Sequence, residues 1–140
     1  MNINEINEKD KELIIEAKKI IEKLYETDKH HVGSALRTKT GKIITAVNVE
    51  AYVRRISICA EAVAIGKAIS DGEKEFETIV SVRQPSAEEG NGEMKLVTPC
   101  GMCRELISDY CPDAYVIVPF ENNIVKCRIS ELLPLKYSRE

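Results

Sequence analysis

Cys59-Ala60-Glu61 and, further along, Pro99-Cys100-Gly101-Met102-Cys103-Arg104 are the two stretches on which the reading of this chain turns. Each precedes or opens a run with helical spacing. The first predicts a helix over 57–70, stopped by Asp71-Gly72, and the second a helix over 100–110, stopped by Cys111-Pro112-Asp113. A thiol at a helix N-terminus meets exposed amides and the positive end of the dipole, which favour its thiolate. Three thiolates and one water make a four-coordinate centre with an open position, the form taken by a catalytic zinc. Glu61 stands two residues past a ligand, so it can sit beside that water without binding the metal. A carboxylate so placed is suited to moving protons.

Outward from these stretches the chain alternates helical and extended runs. Leu13, Ile14, Ala17, Ile20, Ile21 and Leu24 recur at three- and four-residue steps and predict an amphipathic helix over 4–26. Apolar-rich runs at 32–37 and 42–49, linked by Thr38-Lys39-Thr40-Gly41, predict a hairpin. Strands are expected at 78–83, 115–118 and 124–128, the last after an Asn122-Asn123 turn, with a loop or flap over 84–92. The order is α-β-β-α-β-α-β-β, one five-stranded sheet flanked by helices in a single domain, 1–140.

Composition limits the partners. The net charge is −3 and the basic residues form no block, which argues against a nucleic acid polymer. Seven aromatic residues without a Trp supply no extended stacking platform, so a small molecule fits better. No run approaches a membrane span and the first residues carry no signal-peptide pattern. Five cysteines, an odd number, then read as thiols of a reducing cytoplasm.

The order of Val32-Gly33-Ser34-Ala35-Leu36, Asn48-Val49-Glu50, Cys59-Ala60-Glu61, Ala68-Ile69-Ser70-Asp71-Gly72 and Pro99-Cys100-Gly101-Met102-Cys103-Arg104 resembles the cytidine deaminase family from about Tyr25 onward. A non-ligand Glu with a Pro-Cys-x-x-Cys run also marks zinc deaminases acting on bases. The resemblance implies a three-layer α/β/α sandwich, a homotetramer, and one zinc per chain held by Cys59, Cys100 and Cys103. The implied activity is hydrolysis of cytidine or deoxycytidine to the uridine product in pyrimidine salvage. Activated water would attack carbon 4 while Glu61 serves ring nitrogen 3 and then the departing ammonia. It further implies that Asn48 and Glu50 hold the ribose 3′-hydroxyl and makes Ala60 a candidate substrate contact.

Where that family has Pro-Tyr-Ser-x-Phe, this chain has Thr27-Asp28-Lys29-His30-His31, which puts His30 at the position that packs on the pyrimidine. Three-thiolate members often carry an Arg after the catalytic Glu; Ala62 stands there, leaving Arg104, Arg54, Arg55 and Lys95 as candidates to offset the thiolate charge. Blasticidin-S deaminases, which act on a cytosine-headed antibiotic, share Cys-Ala-Glu, Pro-Cys-Gly-x-Cys-Arg and a tail similar to 131–137. Glu50 favours cytidine between the two. Outside these enzymes, Cys100 and Cys103 suit a redox dithiol. A zinc closed by Cys111, Cys127, His30 or His31 would instead organise an interaction module.

Overall fold

Leu13, Ile14, Ala17 and Ile21 are buried along one side of the first helix, α1 (Glu8–Leu24), as their spacing demands. The helix begins later than the expected residue 4 because Asn7 caps it. Its Oδ1 accepts from the Asp10 amide at 2.9 Å, and the Asp10 carboxylate accepts from the Asn7 amide at 2.9 Å. Asp10 is also paired with Lys126 at 2.9 Å, almost out of reach of solvent. The residues ahead of the cap are drawn into an edge strand, β1 (Asn4–Glu5).

The computed structural model describes residues 1–89 and 92–139. After β1 and α1 come β2 (Val32–Thr38), β3 (Ile43–Val47), α2 (Ala60–Ser70), β4 (Phe76–Arg83), β5 (Lys95–Val97), α3 (Gly101–Tyr110), β6 (Tyr115–Phe120) and β7 (Asn123–Arg128). The sheet runs β1-β7-β6-β4-β2-β3, with β5 added beside β4. It therefore has seven strands rather than the expected five. β1 and β5 are two and three residues long, too short to carry an alternation that sequence reading can detect.

Alternation along the strands builds two cores. Ala35, Val80, Val82 and Ile117 face α1, while Leu36, Ile79, Val116 and Val118 face α2 and α3. The result is helix, sheet, helix in three layers. β4 pairs with β6 in parallel and with β2 and β5 antiparallel, so the sheet is mixed. The outer edge of β4 is shared: Thr78 and Ile79 pair with β6, Ser81 to Arg83 with β5. That division turns the chain at Val97 directly into α3.

Local chemistry shifts several boundaries. Val49 and Ile58 pair through a bridge, which keeps the chain extended to Cys59 and delays α2 to Ala60. The β6–β7 turn is Glu121-Asn122, not Asn122-Asn123, and both residues adopt left-handed φ (47° and 66°). Gly90 and Asn91, within the expected 84–92 flap, lie outside the described residues, while Ala87–Glu89 form a 3-10 turn. No described helix is long and apolar enough to cross a membrane.

Gly33 on β2 lies against α1 so closely that a Cβ there would meet the Ala17 carbonyl at 2.4 Å and Ile21 Cβ at 2.9 Å. Backbone cannot yield as a side-chain tip can. Gly33→Ala is expected to cost about 1–3 kcal/mol of unfolding free energy. Thermal denaturation followed by circular dichroism checks this; an unchanged midpoint would mean that α1 is not seated as described.

Candidate active site

Cys59 is the N-cap of α2 and Cys100 the N-cap of α3, both with extended backbone, while Cys103 lies on the first turn of α3. The two helices start at the same end of the sheet. Their three sulfurs lie within 4.8 Å of one another, with Cys59 and Cys100 Sγ atoms 4.0 Å apart. Sulfurs on a zinc tetrahedron stand about 3.8 Å apart. The donor set therefore fits zinc in both softness and spacing. Among the described residues no fourth Cys, His or carboxylate joins the group, and Cys111 and Cys127 are buried in the core instead. Three protein donors is the number a catalytic zinc takes, whereas a structural centre has four.

The thiols differ in ease of ionisation. Burial raises Cys103 most, with the charges of Glu61, Cys59 and Cys100 adding to it. Cys59 is raised by burial too, more than its hydrogen bond with Cys103 can offset. At Cys100 burial is outweighed by hydrogen bonds from the Cys103 and Met102 amides, and its thiol falls below the ordinary value. The α3 amides thus do part of the work expected of a cation. Arg104 is turned away, donating to the Pro99 carbonyl at 2.9 Å and the Leu132 carbonyl at 3.0 Å, and Arg54 pairs with Glu50 at 3.4 Å.

Glu61, in the first turn of α2, is only 5% exposed. Burial pushes its carboxyl up, while its own backbone amide and the Ser81 hydroxyl pull it partly back. A carboxyl so placed can hold a proton nearer neutrality than a surface one does.

From this group a cleft of about 270 Å³ runs past Ala60, Ile58 and Val97 to Asn48, Glu50 and His31. Asn48 is 4% exposed and its Oδ1 accepts from the His31 and Val32 amides at 2.7 and 2.9 Å. Those bonds fix which way its amide faces, so Nδ2 must donate to Glu50 Oε1 at 3.3 Å and to His31 Nδ1 at 3.2 Å. His31 then carries its proton on Nε2, an assignment made from this network. Ser57 and Arg54 hold the other Glu50 oxygen at 3.3 and 3.4 Å. The far end of the cleft is a fixed row of polar groups.

The structure corrects His30. Its Nδ1 lies 2.8 Å from the Asn48 carbonyl, and His31, not His30, lines the cleft. Two adjacent histidines ahead of a strand point to opposite sides, and His30 is the one held against the Asn48 carbonyl instead of facing the cleft. Arg83, also missed, lines both this cleft and an adjoining hollow shared with Tyr25, Asp28 and Glu89. It bonds Glu89 at 2.7 Å and holds that carboxyl down to about 2.

The model of the cytidine and deoxycytidylate deaminase zinc-binding region matches residues 7–118. A blasticidin-S deaminase of Bacillus cereus is 54% identical over 134 residues, 96% of each chain. A cytidine deaminase of Sporosarcina psychrophila is 31% identical over 91% of this chain and 90% of its own. The crystal structure of the cytidine deaminase from Bacillus anthracis shares the fold at a TM-score of 0.77, with 22% identity over 91% of this chain and 89% of that one. With the thiol group and the cleft described above, these matches place the chain in the cytidine and deoxycytidylate deaminase family of zinc-binding proteins.

Proposed function

We propose that this chain hydrolyses the exocyclic amine of a cytosine nucleoside, cytidine or deoxycytidine, releasing ammonia. The observation that carries the reading is the pairing, in one cleft, of a three-thiol group flanked by buried Glu61 with a polar row some distance away. One end is suited to a base amine, the other to a sugar hydroxyl. Held by Cys59, Cys100 and Cys103, zinc supplies an activated water when bound. Glu61 would take one proton from the attacking water and pass it to ring nitrogen 3, then take the second from the hydroxyl now on carbon 4 and give it to the departing amine, leaving a carbonyl. Asn48 and Glu50 hold the ribose 3′-hydroxyl, His31 offers Nε2–H to the cleft, and Ala60 lines the floor beside Glu61. The chain works as one domain in the cytoplasm, in pyrimidine salvage, and as a homotetramer.

A second reading keeps the same chemistry on blasticidin S. Two observations favour it: the 54% identity to the Bacillus cereus enzyme and the continuation of the cleft past Glu50 into the hollow walled by Asp28 and Arg83. A panel of cytidine, deoxycytidine, free cytosine and blasticidin S, followed by ammonia release, separates the two. Turnover of none of them sinks both.

Glu61→Gln should lower kcat by about 10²–10⁴-fold while metal analysis still finds one zinc per chain. Glu50→Ala should harm cytidine far more than an analogue lacking the 3′-hydroxyl; equal damage to both would remove Glu50 from the sugar. Cys59 and Cys103, both raised above the ordinary thiol value, are protonated in the metal-free protein at neutral pH. Loading zinc should therefore release protons, and zinc affinity should climb as pH rises. Calorimetry in buffers of different ionisation heat reads the proton count directly.

A further inference from the structure

Beyond its polar row the cleft opens into a second hollow of about 280 Å³, and the two share His31, Glu50 and Arg83. The thiols line only the first. Whatever a ligand carries past Asn48 and Glu50 therefore meets this hollow. Its charged walls are three carboxylates, Asp28, Glu50 and Glu89, and two guanidiniums, Arg54 and Arg83. Both cations are already engaged: Arg54 stands 3.4 Å from Glu50 and Arg83 2.7 Å from Glu89. The Asp28 carboxylate has no hydrogen-bond or ion-pair partner among the described residues.

Glu89 is held in place by its own turn. The Ser86 amide and hydroxyl both donate to its Oε1 at 3.2 Å, the same atom that Arg83 reaches. The Glu89 amide closes the Ala87–Glu89 turn on the Ser86 carbonyl at 3.0 Å. These donors keep the carboxyl ionised at neutral pH. A guanidinium is the side chain best matched to a phosphate, and Arg83 is the guanidinium that lines cleft and hollow alike. Its fork is turned instead to a partner within the chain. With both arginines neutralised, Asp28 is left over, and an arriving dianion meets a negative wall.

We propose that Glu89 is a specificity-determining residue: by occupying Arg83 it denies a 5′-phosphate its cation, and so restricts the cleft to nucleosides against nucleotides. The assignment rests on the cytosine nucleoside reading above. With the base amine at the thiol end and the 3′-hydroxyl at Asn48 and Glu50, the neighbouring 5′ arm of the sugar lies at the mouth of the hollow. The zinc-binding region of this chain is common to cytidine and deoxycytidylate deaminases, so the thiol group does not make this distinction. Residues beyond the sugar must make it.

The test uses the zinc-loaded full chain and reads kcat/KM for cytidine and for cytidine 5′-monophosphate as a ratio, on protein of checked zinc content and thermal midpoint. The unaltered protein should favour cytidine. Glu89→Gln, which frees Arg83, should move the ratio toward the monophosphate by about fivefold or more, as expected for a gained charge-assisted hydrogen bond. Glu89→Ala should do the same, which separates loss of the ion pair from any bond the new amide makes. Adding Arg83→Gln to Glu89→Gln should abolish the gain, because the two changes act through one contact. Equal use of both compounds by the unaltered protein, a shift of less than about fivefold, or a shift that survives the loss of Arg83 would each overturn the assignment. If the unaltered protein turns over no cytosine nucleoside, the proposed function fails by itself. Calorimetric titration with cytidine 5′-monophosphate then decides the role of Glu89. Binding to Glu89→Gln should be about fivefold or more tighter than to the unaltered protein, and equal or undetectable binding overturns it.

Discussion

Three sulfurs within 4.8 Å of one another have to come from segments far apart in the chain, and the fold is organised around making that meeting possible. Two helices must begin at the same end of one sheet, each with a cysteine at its cap. The Val49–Ile58 bridge arranges this for α2 by keeping the chain extended up to Cys59. The short pairing of β5 with the end of β4 arranges it for α3. Both are local hydrogen-bonded constraints that aim a helix start, and a metal then joins what the backbone has brought near. Because burial and the charges of Glu61, Cys59 and Cys100 all push the Cys103 thiol up, the three become thiolates together only with a cation among them.

The rest of the cleft is built on a different principle. At the thiol end Glu61 and Cys103 are poised by burial and Cys100 by the α3 amides, whereas the far end of the cleft is ordered by saturation with hydrogen bonds. Asn48 is locked by two backbone amides and passes that order on to Glu50 and His31. A site prepared this way loses little freedom when a ligand arrives.

Much of this was legible in the residues. The three helices, the hairpin of β2 and β3, and the buried β4 and β6 follow from periodicity, and the thiol group from Cys59, Cys100 and Cys103 at helix starts. What escaped had physical reasons. β1 and β5 exist because of pairing partners distant in sequence, and no two- or three-residue run announces that. His30 and His31 are neighbours whose sides are set by the pleat of β2 and by Asn48, neither visible in a turn sequence. Arg83 left no signal, since a strand-end arginine is ordinarily a surface residue.

The ion pair between Asp10 and Lys126 ties the two ends of the chain together. Asp10 closes the cap of the first helix and simultaneously meets a residue of the last strand. Loosening β7 from the edge of the sheet would therefore also leave a buried carboxylate at the start of α1 without its cation, so damage near one terminus is felt at the other.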